Sequence, residues 1–285
     1  MIAKPASTVV LLRITTDWPH KILLVQRSKE AVFLPLAHVF PGGRVETSDH
    51  SFGQILVRDL ENLERIKAGF IDRSLDLLAH LAAAMRETLE ESDTSILYAL
   101  EDKNRRHVSS EELRKMLSET SLPPGSSLAP QLNNIWPISW WVTPNSEIRR
   151  YNTLFFLAAI DDEICTDGLK DPVNNESIAR LWVYPRQALD LHQQGTIFLP
   201  PPTRSIVERL AQTKSLKDFL AFVDQPIWPI HPQFARDDQG QRILVLPGDP
   251  LHETRQKSSM PLFTRYGFND TPHPLRGDAR CLKMQ

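Results

Sequence analysis

The sequence predicts an α+β domain. Three observations carry this: two β-branched runs near the N-terminus around a turn, one long helix with a continuous apolar stripe, and a second set of strands from Trp140 onward that gives way to helices. The chain has 285 residues, which suits one domain with insertions. Hydrophobic residues make up 41% and charged residues 24%, so a sizeable core is expected and wholesale disorder is excluded.

The elements follow in order. Residues 8–14 and 22–26 are aliphatic and β-branched runs around TTDWPHK and read as a hairpin. Val39-Phe40 stops at Pro41-Gly42-Gly43, a strong break. From 51 to about 69 the pattern mixes helical stretches with scattered charges. A helix is predicted over 73–91, where Leu75, Leu78, Ala82, Met85 and Leu89 recur at steps of three and four. Residues 108–120 form a short polar helix, and LPPGSSLAP over 122–130 is a loop. Strands are expected at 140–143, 153–160 and 181–184, then a helix at 185–194. Pro200-Pro201-Pro202 blocks any helix, and Thr203 or Ser205 caps the next one. Beyond about 222 the chain turns Pro-rich and irregular, with one more strand at 243–246.

Charge and composition limit the function. Thirty-three basic residues against 35 acidic ones leave a formal charge of −2, which gives no nucleic-acid footprint. The longest aliphatic-aromatic run, 154–160, is too short to span a membrane. MIAKPASTVV lacks a secretory leader pattern, and the final KMQ is not a peroxisomal signal. Cys165 and Cys281 read as two free thiols in a reducing compartment, so a cytoplasmic location is expected.

Chemistry concentrates at RETLEE, 86–91. On a helix, Glu87, Glu90 and Glu91 share a face opposite the apolar stripe, at i, i+3 and i+4. Three carboxylates this close repel one another and oppose the macrodipole at a helix C-terminus. A hard divalent cation such as Mg²⁺ would remove that conflict. Taken alone, the string also describes a solvated acidic face. Upstream lies PGGRVE, 41–46, with a further acid at Asp49; its Gly42 and Gly43 let backbone approach phosphate closely.

A glycine turn, an acid and an acidic helix in this order resemble the Nudix hydrolase box, G-x5-E-x7-R-E-U-x-E-E-x-G-U with U bulky and aliphatic. Gly43 matches the first glycine, Asp49 stands for the first Glu, and Arg86-Glu87 and Glu90-Glu91 match the second half. Thr88 takes the first aliphatic position and Asp93 the last glycine. Positions 50 to 85 hold 36 residues where the box has seven, an insertion of 29. The segments STVVLLR, LLVQRS, VFPGGRVETSD, AAAMRETLEES, WWVTPNSEIRRYNTLFFLAAI, ESIARLWVYPRQAL, GTIFLPPPT and LPGDP, in this order, are similar to the peroxisomal-type acyl-coenzyme A diphosphatases and their bacterial relatives.

The resemblance implies an α/β/α Nudix sandwich, a mixed sheet between helices, over residues 1–250. The insertion would lie at about 50–78, and 251–285 would form an irregular C-terminal extension. It implies metal-dependent hydrolysis of a diphosphate bond in a nucleoside-diphosphate derivative, with coenzyme A or acyl-CoA as the small-molecule partner. It also implies Mg²⁺ or Mn²⁺ on Glu87, Glu90 and Glu91, with Glu90 or Glu91 open to a role as base and Arg86 orienting a glutamate. Glu176, ahead of the 181–184 strand, is a further carboxylate for metal or base, or a plain loop acid. Arg149 and Arg150 are candidate phosphate contacts, or solvated loop charges. Trp140 and Trp141 read as core, His38 as a packed residue, and Asp49 as a helper of the site or a turn former. A nucleotide-sugar or dinucleoside-polyphosphate pyrophosphatase, and a Nudix-fold binding module without catalysis, remain as alternatives. Monomer and homodimer are both compatible with the sequence.

Overall fold

The computed structural model describes residues 2–14, 18, 20–31, 33–54, 56, 59–101, 104–119, 129–161, 177–272 and 280–284. Strand β1 (Lys4–Ile14) turns back into β2 (Lys21–Arg27) with Leu12 opposite Ile22, so the expected hairpin forms. The pairing is brief. Two short strands, β3 (His38–Val39) and β4 (Gly42–Arg44), fill the widening gap between β1 and β2. Val39 sits opposite Val25, and Gly43 opposite Ser7. Pro41-Gly42-Gly43 is therefore not a simple break. Its glycines belong to a strand, because Val9 donates to the Pro41 carbonyl (2.9 Å) and β1 continues the ladder.

Helices α1 (Thr47–Gly53) and α2 (Leu60–Ala68) precede α3 (Leu77–Ser92). The carboxylate helix starts four residues later than its apolar spacing suggests. Asp76 is the reason: its side chain caps the Ala79 N–H (3.1 Å), leaving Leu75 outside. At the other end Asp93 adopts φ 56°, the left-handed conformation expected of the glycine it replaces. Thr88 is buried in an aliphatic position and satisfies its hydroxyl on the Ala84 carbonyl (2.7 Å).

Next come β5 (Tyr98–Glu101), β6 (Asn104–His107), α4 (Ser110–Glu119) and β7 (Ala129–Gln131), the strands forming a small separate sheet. The 122–130 loop expected from the sequence lies largely outside the described residues. Strands β8 (Ile135–Val142), β9 (Tyr151–Asp161) and β10 (Ser177–Val183) complete the main sheet, in the order β10-β2-β1-β9-β8. The β1–β9 pair is parallel and the others antiparallel, so the sheet is mixed. Most of β1 and β9 is buried, as a central parallel pair requires.

The chain continues through α5 (Pro185–Gln193), α6 (Pro201–Gln212) and α7 (Leu216–Leu220). Here the sequence reading needs correction. The proline run does not block the helix: Pro201 and Pro202 form its first turn, where backbone N–H groups have no intrahelical partner to lose. The end of the chain, expected to be irregular over 251–285, is without helix or strand over 251–264 but carries strands at 265–272 and 280–284. Strands β11 (Gln233–Arg236), β12 (Arg242–Val245), β13 (Arg265–Pro272) and β14 (Arg280–Met284) form a four-stranded antiparallel sheet. The strand expected at 243–246 forms as β12, while its neighbours carry no sustained alternating apolar pattern that marks them in the sequence. Among the described residues no helix is long and apolar enough to cross a membrane.

The inserted segment is part of the core. Phe70 is buried edge-on against Trp140 and Phe156, at 6.2 and 6.1 Å. Arg65 donates to the carbonyls of Leu132 and Ile135 (3.0 and 2.9 Å), just ahead of β8 and at its first residue. Ile227 bonds Gly69 and Ile71, while Ile230 bonds Trp140 and Val142, so this segment ties the insertion to the last residues of β8. Truncating Phe70 to Ala is expected to cost about 3–5 kcal/mol in urea unfolding, while Leu60→Ala on the exposed face of α2 stays within about 0.5 kcal/mol. Equal, small effects would show that the insertion is a dispensable appendage.

Candidate active site

The two halves of the box meet in space. A Cβ built on Gly43 would lie 2.2 Å from Glu87 Oε1, so only glycine allows that carboxylate to lie against β4. The Gly42 N–H donates to Glu91 Oε2 (2.9 Å), which ties the last turn of α3 to the same strand. The 29-residue insertion therefore loops out and returns without separating Gly43 from Glu87.

Arg86 joins the acids. Its Nε and Nη2 donate to the two oxygens of Asp49, each at 2.9 Å, and Nη2 also reaches the Arg44 carbonyl (2.9 Å). Nη1 donates to Glu87 (2.9 Å) and to Glu90 (3.3 Å). Asp49 is held in turn by the Glu46 N–H at 2.8 Å, through a capping box at the start of α1. Asp49 is thus both a turn former and the anchor of Arg86. Burial opposes the charge on Arg86, but the Asp49 hydrogen bond and the charges of Glu87, Asp49 and Glu90 outweigh it and hold its pKa above the ordinary value.

Most of the acidic face is withdrawn from solvent, with Glu90 the exception. Glu91 is only 5% exposed, the Glu87 side chain 14%, and the Glu90 side chain 48%. The reason is tertiary: α3 packs on β1 and β4 and against α1, so it is covered nearly all round. Burial raises the Glu87 carboxyl, Arg86 pulls it down, and Glu91 and Glu90 raise it again, leaving it at about 7. Glu90 is also raised, first by burial.

Among the described residues no three His, Cys, Asp or Glu side chains converge as a ready cage for a metal ion. As the side chains stand, Arg86 engages Glu87 and Glu90, and Gly42 engages Glu91. The donor set nevertheless suits a hard divalent ion. It is all oxygen, it includes a buried carboxyl driven toward neutrality beside a second carboxylate, and Mg²⁺ needs only one or two protein carboxylates with waters and phosphate oxygens.

Beside these groups lies an open cleft of about 570 Å³, lined by Lys4, Pro5 and residues 44–48. Arg149 is exposed. Arg150 is half-buried and donates to the Thr143 carbonyl (3.1 Å), while its own carbonyl accepts from Lys4 N–H (2.9 Å). The Arg149-Arg150 loop thus lies at the start of β9 beside Lys4, one of the residues that line the cleft. Glu176 lies outside the described residues. Trp140 and Trp141 are buried, their indole N–H groups bonded to Asn152 and Ser139, so they belong to the core. His38 is packed, and burial depresses its pKa to about 4.

Two residues near the carboxylates carry little sequence signal. His80 accepts or donates at Ser7 Oγ (3.0 Å) beneath the strand that pairs with Gly43. Its seven-residue step from Glu87 was the available clue. Arg180 donates to the Glu91 carbonyl (2.7 Å) from β10, and nothing in ESIARLWV marks it.

A family model described as the NUDT19 Nudix domain matches residues 3–210. The chain belongs to the Nudix family. It is 26% identical over 248 residues to an acyl-coenzyme A diphosphatase NUDT19 of Xenopus laevis, covering 73% of this chain and 64% of that protein. With the Gallus gallus protein of the same name it shares 27% identity over 250 residues, covering 71% and 64%. The chain therefore spans somewhat less than two thirds of these relatives. A Nudix hydrolase structure from Alicyclobacillus acidocaldarius superposes with a TM-score of 0.63 at 23% identity, over 79% of this chain and 98% of that one. The fold is the α+β Nudix fold, with its mixed sheet and the box on β4, α1 and α3.

Glu87 makes metal-free stability pH-dependent. Its folded pKa, about 7, lies above the ordinary 4.5, so the folded state holds the proton more tightly. The stability this adds is fully present below about pH 4.5 and is lost as pH rises through about 7. At 1.36 kcal/mol per unit the loss is roughly 3 kcal/mol. Urea unfolding in EDTA across this range is expected to show a steeper fall for wild type than for Glu87→Gln; parallel curves would rule out a perturbed Glu87.

Proposed function

We propose that this Nudix protein hydrolyses the diphosphate bond of a nucleoside-diphosphate derivative, with Mg²⁺ or Mn²⁺ as cofactor and coenzyme A or acyl-CoA as substrate. The products are a phosphopantetheine derivative and adenosine 3′,5′-bisphosphate. The observation that carries the reading is the reassembled box: Gly43 against Glu87, and Gly42 bonded to Glu91, across the insertion. The relatives named acyl-coenzyme A diphosphatases support the choice of substrate.

In this reading Glu87, Glu90 and Glu91 hold the divalent ion. When bound, such an ion neutralises diphosphate oxygens and lowers the pKa of a coordinated water. Arg86 keeps Glu87 and Glu90 in register, and is itself held in a two-pronged bond by Asp49. Gly42 and Gly43, expected to meet phosphate, instead seat the carboxylates: Gly43 makes room for Glu87 and Gly42 gives its N–H to Glu91. Arg149 and Arg150 meet the outer phosphates, and Glu176 or the half-exposed Glu90 takes the proton from the attacking water. Two cysteines far apart in sequence suit a reducing, cytoplasmic setting.

The test is a substrate panel with purified protein and Mg²⁺ or Mn²⁺: coenzyme A, acyl-CoA, nucleotide sugars and dinucleoside polyphosphates, with products separated by chromatography. Adenosine 3′,5′-bisphosphate is expected from the coenzyme A substrates, only with divalent ion. Glu91→Gln is expected to lower kcat by about 100-fold or more and to weaken metal affinity. Cleavage of another diphosphate with coenzyme A intact overturns the substrate; no cleavage at all leaves the binding-module reading.

A further inference from the structure

We infer that Arg180 is a positioning residue of the proposed metal site: from β10 it holds the C-terminal turn of α3 and so sets where Glu91 stands. This rests on the reading that Glu87, Glu90 and Glu91 hold a divalent ion.

The last turn of α3 is electrostatically adverse. It carries Glu90 and Glu91, has no basic residue of its own, and ends on Asp93. The final carbonyls of a helix lack intrahelical donors and bear the negative end of its dipole. A basic residue on the helix itself would normally answer this, but the positions are taken by carboxylates. The compensating charge comes from elsewhere in the fold. Arg180 Nε donates to the Glu91 carbonyl at 2.7 Å. From α4, Ser110 donates to the Asp93 carbonyl (2.7 Å) and Arg114 to the Asp93 carboxylate (2.6 Å).

Arg180 and Arg114 differ in setting. Arg114 is half-exposed, and its ion pair is screened by solvent. Arg180 is only 8% exposed, and its Nη2 finds no acceptor among the described residues. Burying a guanidinium with an unsatisfied N–H is unfavourable by itself. On a strand paired with Val25, an apolar side chain would pack without that penalty. Burial outweighs the support that Asp93 and Glu91 give its charge and lowers its pKa, so what the cation gains here is the Nε bond to the Glu91 carbonyl at the negative end of α3. Glu91 is thus held from two sides, its carbonyl by Arg180 and its carboxylate by Gly42. Neither contact touches the cleft-lining residues, so the influence of Arg180 passes through Glu91.

The test compares wild type with Arg180→Met, which removes charge and donor, and Arg180→Lys, which keeps the charge without the guanidinium. Three quantities are read: amide hydrogen exchange across 87–93 in metal-free protein, Mn²⁺ binding by electron paramagnetic resonance without substrate, and the kcat and KM for coenzyme A. For Arg180→Met, exchange in the last turn of α3 is expected to rise about tenfold relative to β1 and β9. Mn²⁺ affinity should fall about tenfold or more, and the loss should appear in kcat rather than KM. Arg180→Lys should recover part of each, and it carries the test if the methionine variant does not fold. Unchanged exchange at the end of α3, or Mn²⁺ affinity within about twofold of wild type, overturns the inference. Wild-type protein that neither binds Mn²⁺ nor cleaves coenzyme A overturns the metal reading instead, and the exchange comparison still decides whether Arg180 holds the turn.

Discussion

Crowding three carboxylates into the last turns of a single helix is unfavourable, and much of the surrounding structure offsets that crowding. Arg86 sits within the group and is anchored by Asp49 and the Arg44 carbonyl, so it pairs with Glu87 and Glu90 from a held position. Gly42 supplies an N–H to Glu91, and Gly43 leaves space for Glu87. Arg180 and α4 answer the helix end. Even so, Glu87 remains partly driven toward its neutral form by burial and its acidic neighbours. A residual conflict of this kind is where function is expected, and it is the basis of the metal site proposed above.

The wedge of β3 and β4 between β1 and β2 makes this geometry available. Pairing with both long strands places Gly42 and Gly43 on the sheet beneath α3. The insertion then loops out between the two halves of the box at modest cost. Lengthening a connection from seven to 36 residues adds about 1–2 kcal/mol of closure entropy. Burial of Phe70 alone, worth about 1.5–3 kcal/mol, is of the same size. The insertion also reaches the backbone around the start of β8 through Arg65, and Ile230 pairs with the end of that strand. An interrupted box is therefore compatible with an intact site.

Several features were legible because their causes are local. The hairpin, the β9 strand and α3 follow from runs of β-branched and apolar residues and from steps of three and four. Asp93 takes the left-handed conformation that its place in the box requires, and Asp tolerates it. Trp140 and Trp141 pack as core residues of a buried strand should. The proline run was misread because the first helical turn tolerates what a helix interior does not. Of the C-terminal sheet only β12 is legible, as the 243–246 run; β11 and β14, of four and five residues, are too short a pattern to distinguish from coil.

The sequence by itself determined the family, the order of the box residues and the helical face that groups Glu87, Glu90 and Glu91, since all three rest on residue type and spacing along one chain segment. Only the tertiary structure decided that Gly43 touches Glu87, that Glu91 is buried, that Asp49 anchors Arg86, and that a cation from β10 meets the end of α3. The physical reason is that burial and ion pairing depend on which surfaces approach, and residues 37, 44 and 89 positions apart in the chain carry no local trace of that approach.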